Sequence, residues 1–493
     1  MKIYRLILII ALGVFTMNSC SDKDLELVNP NELSPETYFA NEAQVAASVN
    51  AVYANLNTNP LYGRLIWYMM DNMSHEQGGN AQQEADKVTF YDFSFDSSND
   101  QIANFWESCY RGINKANFVL GNIDRINELS EAELSTTRKN KYIAEARFLR
   151  AHYYWLLVNR FGGIPLLDEN TAPGGTPISP KSDIIALIIE DLKFAKANLL
   201  PKAEEENGRA TKGAAQAFLG KVLLYEKQYG PALDEFKAMS GYDLEADYYD
   251  NFKEETEYGI ESVFEIAYDL TLGTDDKWGG VEGTGKTHGN LRGQDYGNLD
   301  WFNVYPSEDL LAEFEPGDKR FAASFYVIGD TYLNGTKTME EKDFKENGGN
   351  IRPAAWKKYQ NYYKQASENQ ESGINVKVIR YADVLLMMAE CANEAETPAD
   401  AIPYINRVRA RAGVPALPTT LSKEQVFEAI VHERKVELAG EQVRFDDLLR
   451  WGRAATFLAG TNFQVGKNEL WPIPDREIAS NPNVTPADQN PGY

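Results

Sequence analysis

Residues 208–239 read GRATKGAAQAFLGKVLLYEKQYGPALDEFKAM, and residues 379–413 read IRYADVLLMMAECANEAETPADAIPYINRVRARAG. Each carries apolar residues at helical spacing on both sides of a break. The breaks fall at Tyr229-Gly230-Pro231 and at Thr397-Pro398, so each stretch predicts a helical hairpin. The two hairpins share a register: 12 residues separate Gly220 from Ala232, and 12 separate Ala389 from Ala401. Phe236 and Ile405 each follow four residues after that second alanine. Small residues at these places let paired helices approach, and the apolar residue that follows fills the seam.

The pattern resembles a tetratricopeptide repeat, whose period is about 34 residues. One such hairpin cannot bury its own face, so several must stack. The two are not contiguous, because residues 240–375 intervene. The expected fold is therefore mainly α: a tetratricopeptide-like helical-hairpin scaffold carrying a large irregular, loop-rich subdomain. Further helices are expected in NKYIAEARFLRAHYYWLLVNRF (140–161), ended by Gly162-Gly163 and Pro165, and in SDIIALIIEDLKFAKANL (182–199), with Ser182 or Asp183 as N-cap. SKEQVFEAIVHERKVELAG (422–440) and RFDDLLRWGRAATFL (444–458) read the same way. Two segments lack a helical period. Tyr268–Tyr305 is rich in Gly, Asp and Asn and holds Trp278, Tyr296, Trp301 and Phe302. Leu61–Asp100 holds Arg64, Trp67, Tyr68, Asp71, Asn72 and His75. Short strands such as Val263–Ala267 are expected near them.

The chain opens MKIYRLILIIALGVFTMNSCSDKDLELVNP. Lys2 and Arg5 lead an apolar run that ends at Cys20, half the ~20 residues a membrane span needs and the length of a signal-peptide core. Met17-Asn18-Ser19-Cys20 resembles a loose bacterial lipobox, with Cys20 lipidated as the first mature residue. The expected layout is a signal peptide over 1–19, a lipidated tether over 20–30, and one body over 31–493 with loop-rich insertions near 61–100 and 240–375.

A net charge of −24 with no basic cluster argues against a nucleic-acid partner. Of the three cysteines, Cys109 and Cys391 sit in helical patterns and read as free, buried residues, with one long-range disulfide as the alternative. The four histidines lie far apart, and His432-Glu433 lacks the second histidine of a zincin. Gly280 to Thr287 matches phosphate-loop spacing but has no strand before it and no helix after it. HERKVELAGEQVRFDDLLRWGR (432–453) sets Glu433, Glu437, Glu441, Asp446 and Asp447 beside Arg434, Arg444, Arg450 and Arg453; it reads as an ion-paired helical corner. Asp96, Asn99 and Asp100 lack the glycine and glutamate of a calcium loop. No catalytic residue, metal site or cofactor is assigned.

Sugar rings have apolar C–H faces and hydroxyl rims, so aromatic side chains beside Asp, Asn, Arg and His in loops suit them. The two irregular segments supply both kinds of residue. Candidate ligand contacts are Trp301, Trp278, Tyr296, Arg64, Asn72 and His75.

Several stretches together resemble the SusD/RagB-like nutrient-uptake lipoproteins. They are NSCSDKDLEL (18–27), FWESCYRGINKAN (105–117), AEARFLRAHYYWLLVNRFGGIPLL (144–167), IRYADVLLMMAE (379–390), HERKVELAGEQVRFDDLLRWGR (432–453) and LWPIPDREIASNPNVTPADQNPGY (470–493). The resemblance implies a tetratricopeptide-like scaffold with a loop-rich subdomain. It implies a cell-surface protein, lipid-anchored to the outer membrane, that captures oligosaccharides, or peptides in some members. The ligand would pass to a SusC-like TonB-dependent β-barrel transporter without any chemistry. Trp301, just ahead of YPSEDLLAEFEPGDKR (305–320), matches an aromatic ligand platform of that family best. The rival class is a secreted glycoside hydrolase on an α-helical scaffold.

Overall fold

Ser, Thr and Asn residues placed just before apolar runs start most of the long helices. In the computed structural model, which describes residues 38–78, 85–172, 174–273, 288–346 and 348–493, Asn41 caps helix α1 (Glu42–Ala54). Helices α2 (Leu65–Ser74) and α3 (Ala85–Tyr91) follow, with strand β1 (Gln77–Gly78) between them. Asn99 caps α4 (Asp100–Leu120), and Ser135 caps α5 (Thr136–Phe161). Next come α6 (Lys181–Asn198), α7 (Lys212–Tyr225), capped by Thr211, and α8 (Tyr229–Lys237). Strand β2 (Ser262–Ile266), the short α9 (Arg292–Tyr296), β3 (Tyr305–Pro306) and β4 (Val376–Arg380) belong to the intervening region. The chain then returns to helices with α10 (Tyr381–Ala395), α11 (Pro398–Ala412), α12 (Lys423–Glu437) and α13 (Arg444–Arg450). Each capping oxygen accepts a backbone N–H that the first turn leaves orphaned, worth about 1 kcal/mol.

Successive helices are neighbours in space. α1 packs on α4, α4 on α5, α5 on α6, α6 on α7, α7 on α8, α8 on α10, and α10 on α11 and α12. The scaffold is thus a stack of helical hairpins, as the shared register implies, and it extends N-terminal to the two hairpins that show it. In the 379–413 hairpin, Thr397 and Asp400 close a capping box at the break, with Pro398 in the first turn. In the 208–239 hairpin the break falls earlier than expected, at Lys227, whose φ is +57°. Tyr229, Gly230 and Pro231 instead begin α8, where a missing N–H costs nothing. Likewise α6 starts at Lys181 after Pro180, so Ser182 and Asp183 lie inside its first turn.

The seam is as tight as the small residues require. A Cβ on Gly220 would stand 2.4 Å from the Phe236 ring, and Ala232, Ala401 and Ile405 are fully buried. Ala232→Leu and Ala401→Leu are each expected to cost roughly 1–3 kcal/mol by overpacking. Thermal melts check this; an unchanged melting temperature in both variants would place these alanines outside the seam.

Segment 61–100 departs most from expectation, since α2 and α3 occupy much of it. Every residue of α2 is buried. A helix buried on all faces shows no polar stripe, and so no readable period. Within the same segment, Asp96 accepts from Ser98, Asn99 caps α4 and Asp100 pairs with Arg476, so all three are engaged in turn and helix-start contacts.

Cys109 and Cys391 are free and buried. The charged stretch 432–453 is an ion-paired corner, but most of its partners are distant in sequence. Arg320 donates to Glu433 and Glu437, Arg380 to Glu437 and Glu441, and Lys358 to Glu441. Glu433 also pairs with Arg409, and Glu437 with Arg411. Arg434, inside the stretch, bridges Asp447 and Asp383. Among the described residues no helix is long and apolar enough to cross a membrane.

Candidate ligand-binding face

The loop after α9 is wound back on the helix by its own backbone. Trp301 N–H donates to Gln294 O at 3.1 Å, Phe302 N–H to Gly297 O at 3.0 Å and Asn303 N–H to Asp295 O at 2.8 Å. This fixes Trp301, which is half-buried. The Arg64 guanidinium lies 5.6 Å from the Trp301 ring centroid and 5.7 Å from that of Tyr68. Asp295 holds Arg64 with two bonds, 2.8 Å from Nε and 3.0 Å from Nη2. Asn303 Nδ2 donates to the Tyr68 hydroxyl at 3.1 Å and to Asp295 Oδ1 at 3.2 Å. The indole thus rests on a cation that cannot drift, because the carboxylate and the loop amide lock it.

Beside this platform β1 pairs with β3, with Gly78 opposite Tyr305. A Cβ on Gly78 would lie 1.9 Å from the Tyr305 ring, so only glycine lets that ring lie against the strand. Arg352 covers the ring at 4.0 Å and is held by Glu346 at 2.8 Å. Burial pushes the Tyr305 hydroxyl up to about 12 against the pull of Arg352, so it stays protonated near neutrality. His75 ends α2 at φ +54°, stacks on Tyr91 with centroids 4.3 Å apart, and makes a 3.0 Å Nε2 hydrogen bond to Tyr91 O. Burial lowers its pKa below that of a free histidine.

The structure brings Arg64, Trp301 and Tyr296 together, but in two layers. Tyr296 is 0% exposed; its hydroxyl donates to Asp71 at 2.7 Å and its ring meets Tyr68 edge-on. Asn72 is also 0% exposed and donates to Lys87 O at 3.2 Å. These two and Arg64 do not stand on the surface as an irregular-loop reading implies; they form the floor, because α2 and α9 carry them inward. Trp278 and Cys20 lie outside the described residues. Tyr68, Tyr91, Tyr305 and Arg352 were not among the sequence-derived candidates. Of these, Tyr305 faces Gly78 across a strand pair, and no linear spacing encodes that facing.

Under the loop lies a buried acid. Glu368 accepts from the Asn361 N–H at 2.5 Å, and its own N–H donates to Asp300. Burial and the nearby Asp300 push its carboxyl from 4.5 up to about 8. Folded chains therefore hold a proton that unfolded chains release between pH 4.5 and 8, so this group's contribution to stability falls as pH rises through that window. Glu368→Gln is expected to flatten the fall and to raise the melting temperature most above pH 8. Melts of both chains from pH 5 to 9 test this; parallel curves would mean that Glu368 titrates normally.

Among the described residues, Glu315, His432 and Glu433 come close enough to share an ion. Arg409 and Arg320 already hold these carboxylates, so the group reads as part of the ion-pair network. A groove of about 1180 Å³ lies away from the Trp301 face, between α1 and α4.

The fold is thus a stack of helical hairpins that carries an aromatic, loop-built face. Two family models match in succession: one described as starch-binding associating with outer membrane, over residues 24–224, and the SusD family model, over 260–462. The chain belongs to the SusD/RagB-like family. It is 29% identical to "SusD-like protein P25" of Formosa agariphila over the full length of both chains. A SusD superfamily protein of Bacteroides vulgatus superposes with a TM-score of 0.80 at 26% identity, covering 93% of this chain and 100% of that one. A structure titled "Laminarin binding SusD-like protein" superposes at 0.76 with 27% identity, covering 92% of this chain and 100% of that one.

Proposed function

We propose that this chain binds oligosaccharide at the Trp301 face and passes it, without chemistry, to a TonB-dependent β-barrel transporter in the outer membrane. The observation that carries the reading is the braced indole. Arg64, held by Asp295, lies against the half-buried Trp301 ring and the Tyr68 ring alike. A sugar ring meets such a surface with its C–H face, while neutral hydroxyls and amides take its rim. The laminarin-binding relative, of the same fold, supports a glycan over a peptide. A glycan array followed by calorimetry tests the assignment, and an assay for new reducing ends on the best ligand separates binder from hydrolase.

Anchoring through Cys20 belongs to the same proposal. The apolar run that stops at Cys20, followed by the polar Ser21-Asp22-Lys23-Asp24, supports it. Cys20→Ser is expected to abolish incorporation of labelled fatty acid and to leave the protein unanchored. Equal label on both chains would remove the anchor from the proposal.

A further inference from the structure

The loop that carries Trp301 is fastened from beneath as well as to α9. Asp300 stands directly before Trp301. Its Oδ2 accepts from the Tyr362 hydroxyl at 2.7 Å and from the Glu368 N–H at 2.9 Å. The Tyr362 hydroxyl in turn accepts from the Leu299 N–H at 3.2 Å. Two consecutive loop residues thus hang on the segment 361–368. That segment is pressed hard against the helix. Glu368 is fully buried, and a Cβ on Gly293 would stand 2.4 Å from its Oε2. A Cβ on Gly297 would stand 2.0 Å from the Tyr362 hydroxyl. The carboxyl of Glu368 takes its hydrogen bonds from Asn361, a neutral residue.

Among the described residues no cation pairs with Glu368 or with Asp300. The charged groups around them are engaged elsewhere. Glu254 faces Glu368 and is held by Lys364 at 2.5 Å. Lys357 lies against the Tyr249 and Tyr326 rings and donates to Ala322 O. Both tyrosines also face Glu368, and burial keeps them neutral. On α9, Arg292 donates to Gly440 O and Asp295 holds Arg64. Two carboxylates that share a buried site without a cation ionise together only at high cost. Asp300 is half-buried, whereas Glu368 has no exposed surface. A second charge is therefore relieved by moving Asp300 toward water, and Trp301 goes with it.

We propose that Glu368 is a positioning residue of the glycan face: as the neutral acid it lets Asp300 stay docked and keeps Trp301 in place, and once ionised it releases the loop. This rests on the reading of Trp301 as the glycan platform. The docked loop holds a proton that the released loop gives up, so docking, and glycan affinity with it, weakens as pH rises through about 8.

Calorimetry with the best array glycan from pH 6 to 9.5 tests this on the chain from Ser21 to Tyr493. Affinity of the parent chain is expected to hold to pH 7 and to fall roughly tenfold by pH 9.5. In Glu368→Gln the ratio of the affinities at the two ends should stay near one. Asp300→Asn removes the other charge of the pair and should flatten the profile too, so it decides if Glu368→Gln loses its melt. Amide exchange over residues 297–303 without glycan, corrected for the intrinsic effect of pH, should lose protection over the same range in the parent and not in the variants. That readout needs no ligand, so it separates the loop's behaviour from the platform's identity. Loop release with a Trp301→Ala chain that binds as the parent does would sink the platform reading alone. A parent affinity and loop protection that stay flat to pH 9.5 overturn the proposal and leave the platform reading standing. A fall that persists in both variants assigns it to another acid, such as Glu257, which burial also pushes up to about 8, and likewise overturns the proposal.

Discussion

Arg380→Met is expected to lower stability by about 3–5 kcal/mol at neutral pH, the cost of leaving buried carboxylates without their cation. Arg380 is 1% exposed, at the end of β4. Its Nη1 meets Glu261 and lies 3.0 Å from Glu437 Oε1; its Nε and Nη2 reach Glu441 at 2.7 and 2.9 Å. Burial alone would raise the Glu437 carboxyl, but Arg411, Arg380 and Arg320 together hold it well below the usual carboxylate range. A group with a depressed folded pKa gives stability that is full above its unfolded value and is lost as pH falls toward the folded one. The penalty of Arg380→Met should therefore shrink in acid. Urea melts at pH 7 and pH 4 measure both effects. The double variant Arg380→Met, Glu441→Gln should recover part of the loss, because it removes a stranded charge along with its partner. A penalty under about 1 kcal/mol at neutral pH would show that Lys358 and Arg411 cover the carboxylates unaided.

Trp301→Ala is expected to weaken glycan binding at least about tenfold, since an aromatic contact at a binding hot spot is worth roughly 1–3 kcal/mol. The melt should move little, because Trp301 is half-buried and the loop that carries it is closed by backbone bonds that survive the substitution. Calorimetry with the best array ligand, run beside a thermal melt, reads both. A large fall in melting temperature would make Trp301 a core residue. Unchanged affinity with an unchanged melt would move the binding surface to Tyr305 and Tyr91.

The scaffold was legible because its signal is local. Gly220, Ala232, Ala389 and Ala401 repeat one spacing, and a spacing survives in a linear string. Segment 61–100 was not legible, because burial on all sides of α2 erases the polar face that marks a helix. The candidate site was half legible. A Gly/Asp/Asn-rich context points to Trp301, but it cannot separate a ring on the surface from one beneath it. Tyr296 and Trp301 sit five residues apart in the same composition, and only the turn of α9 sends one inward. The partners of residues 432–453 were hidden for another reason. Arg320, Lys358 and Arg380 lie far away along the chain, so the ion pairs were expected where no sequence distance could locate them.

The pairing of β2 with β4 sets Ile266 opposite Val376, so the chain leaves the hairpin order after Ile266 and re-enters it at Val376 through one doorway. To the scaffold, that region is a single hairpin loop of unusual length. Loop-closure entropy grows only logarithmically, and each doubling of length costs about 0.6 kcal/mol. Changing the length of the insertion's outer loops thus costs the hairpin stack little, provided the two strands still meet and Arg320 and Lys358 still reach Glu433, Glu437 and Glu441. Loops beyond those contacts hang from a clasp, so a change of recognition there carries little risk to the frame.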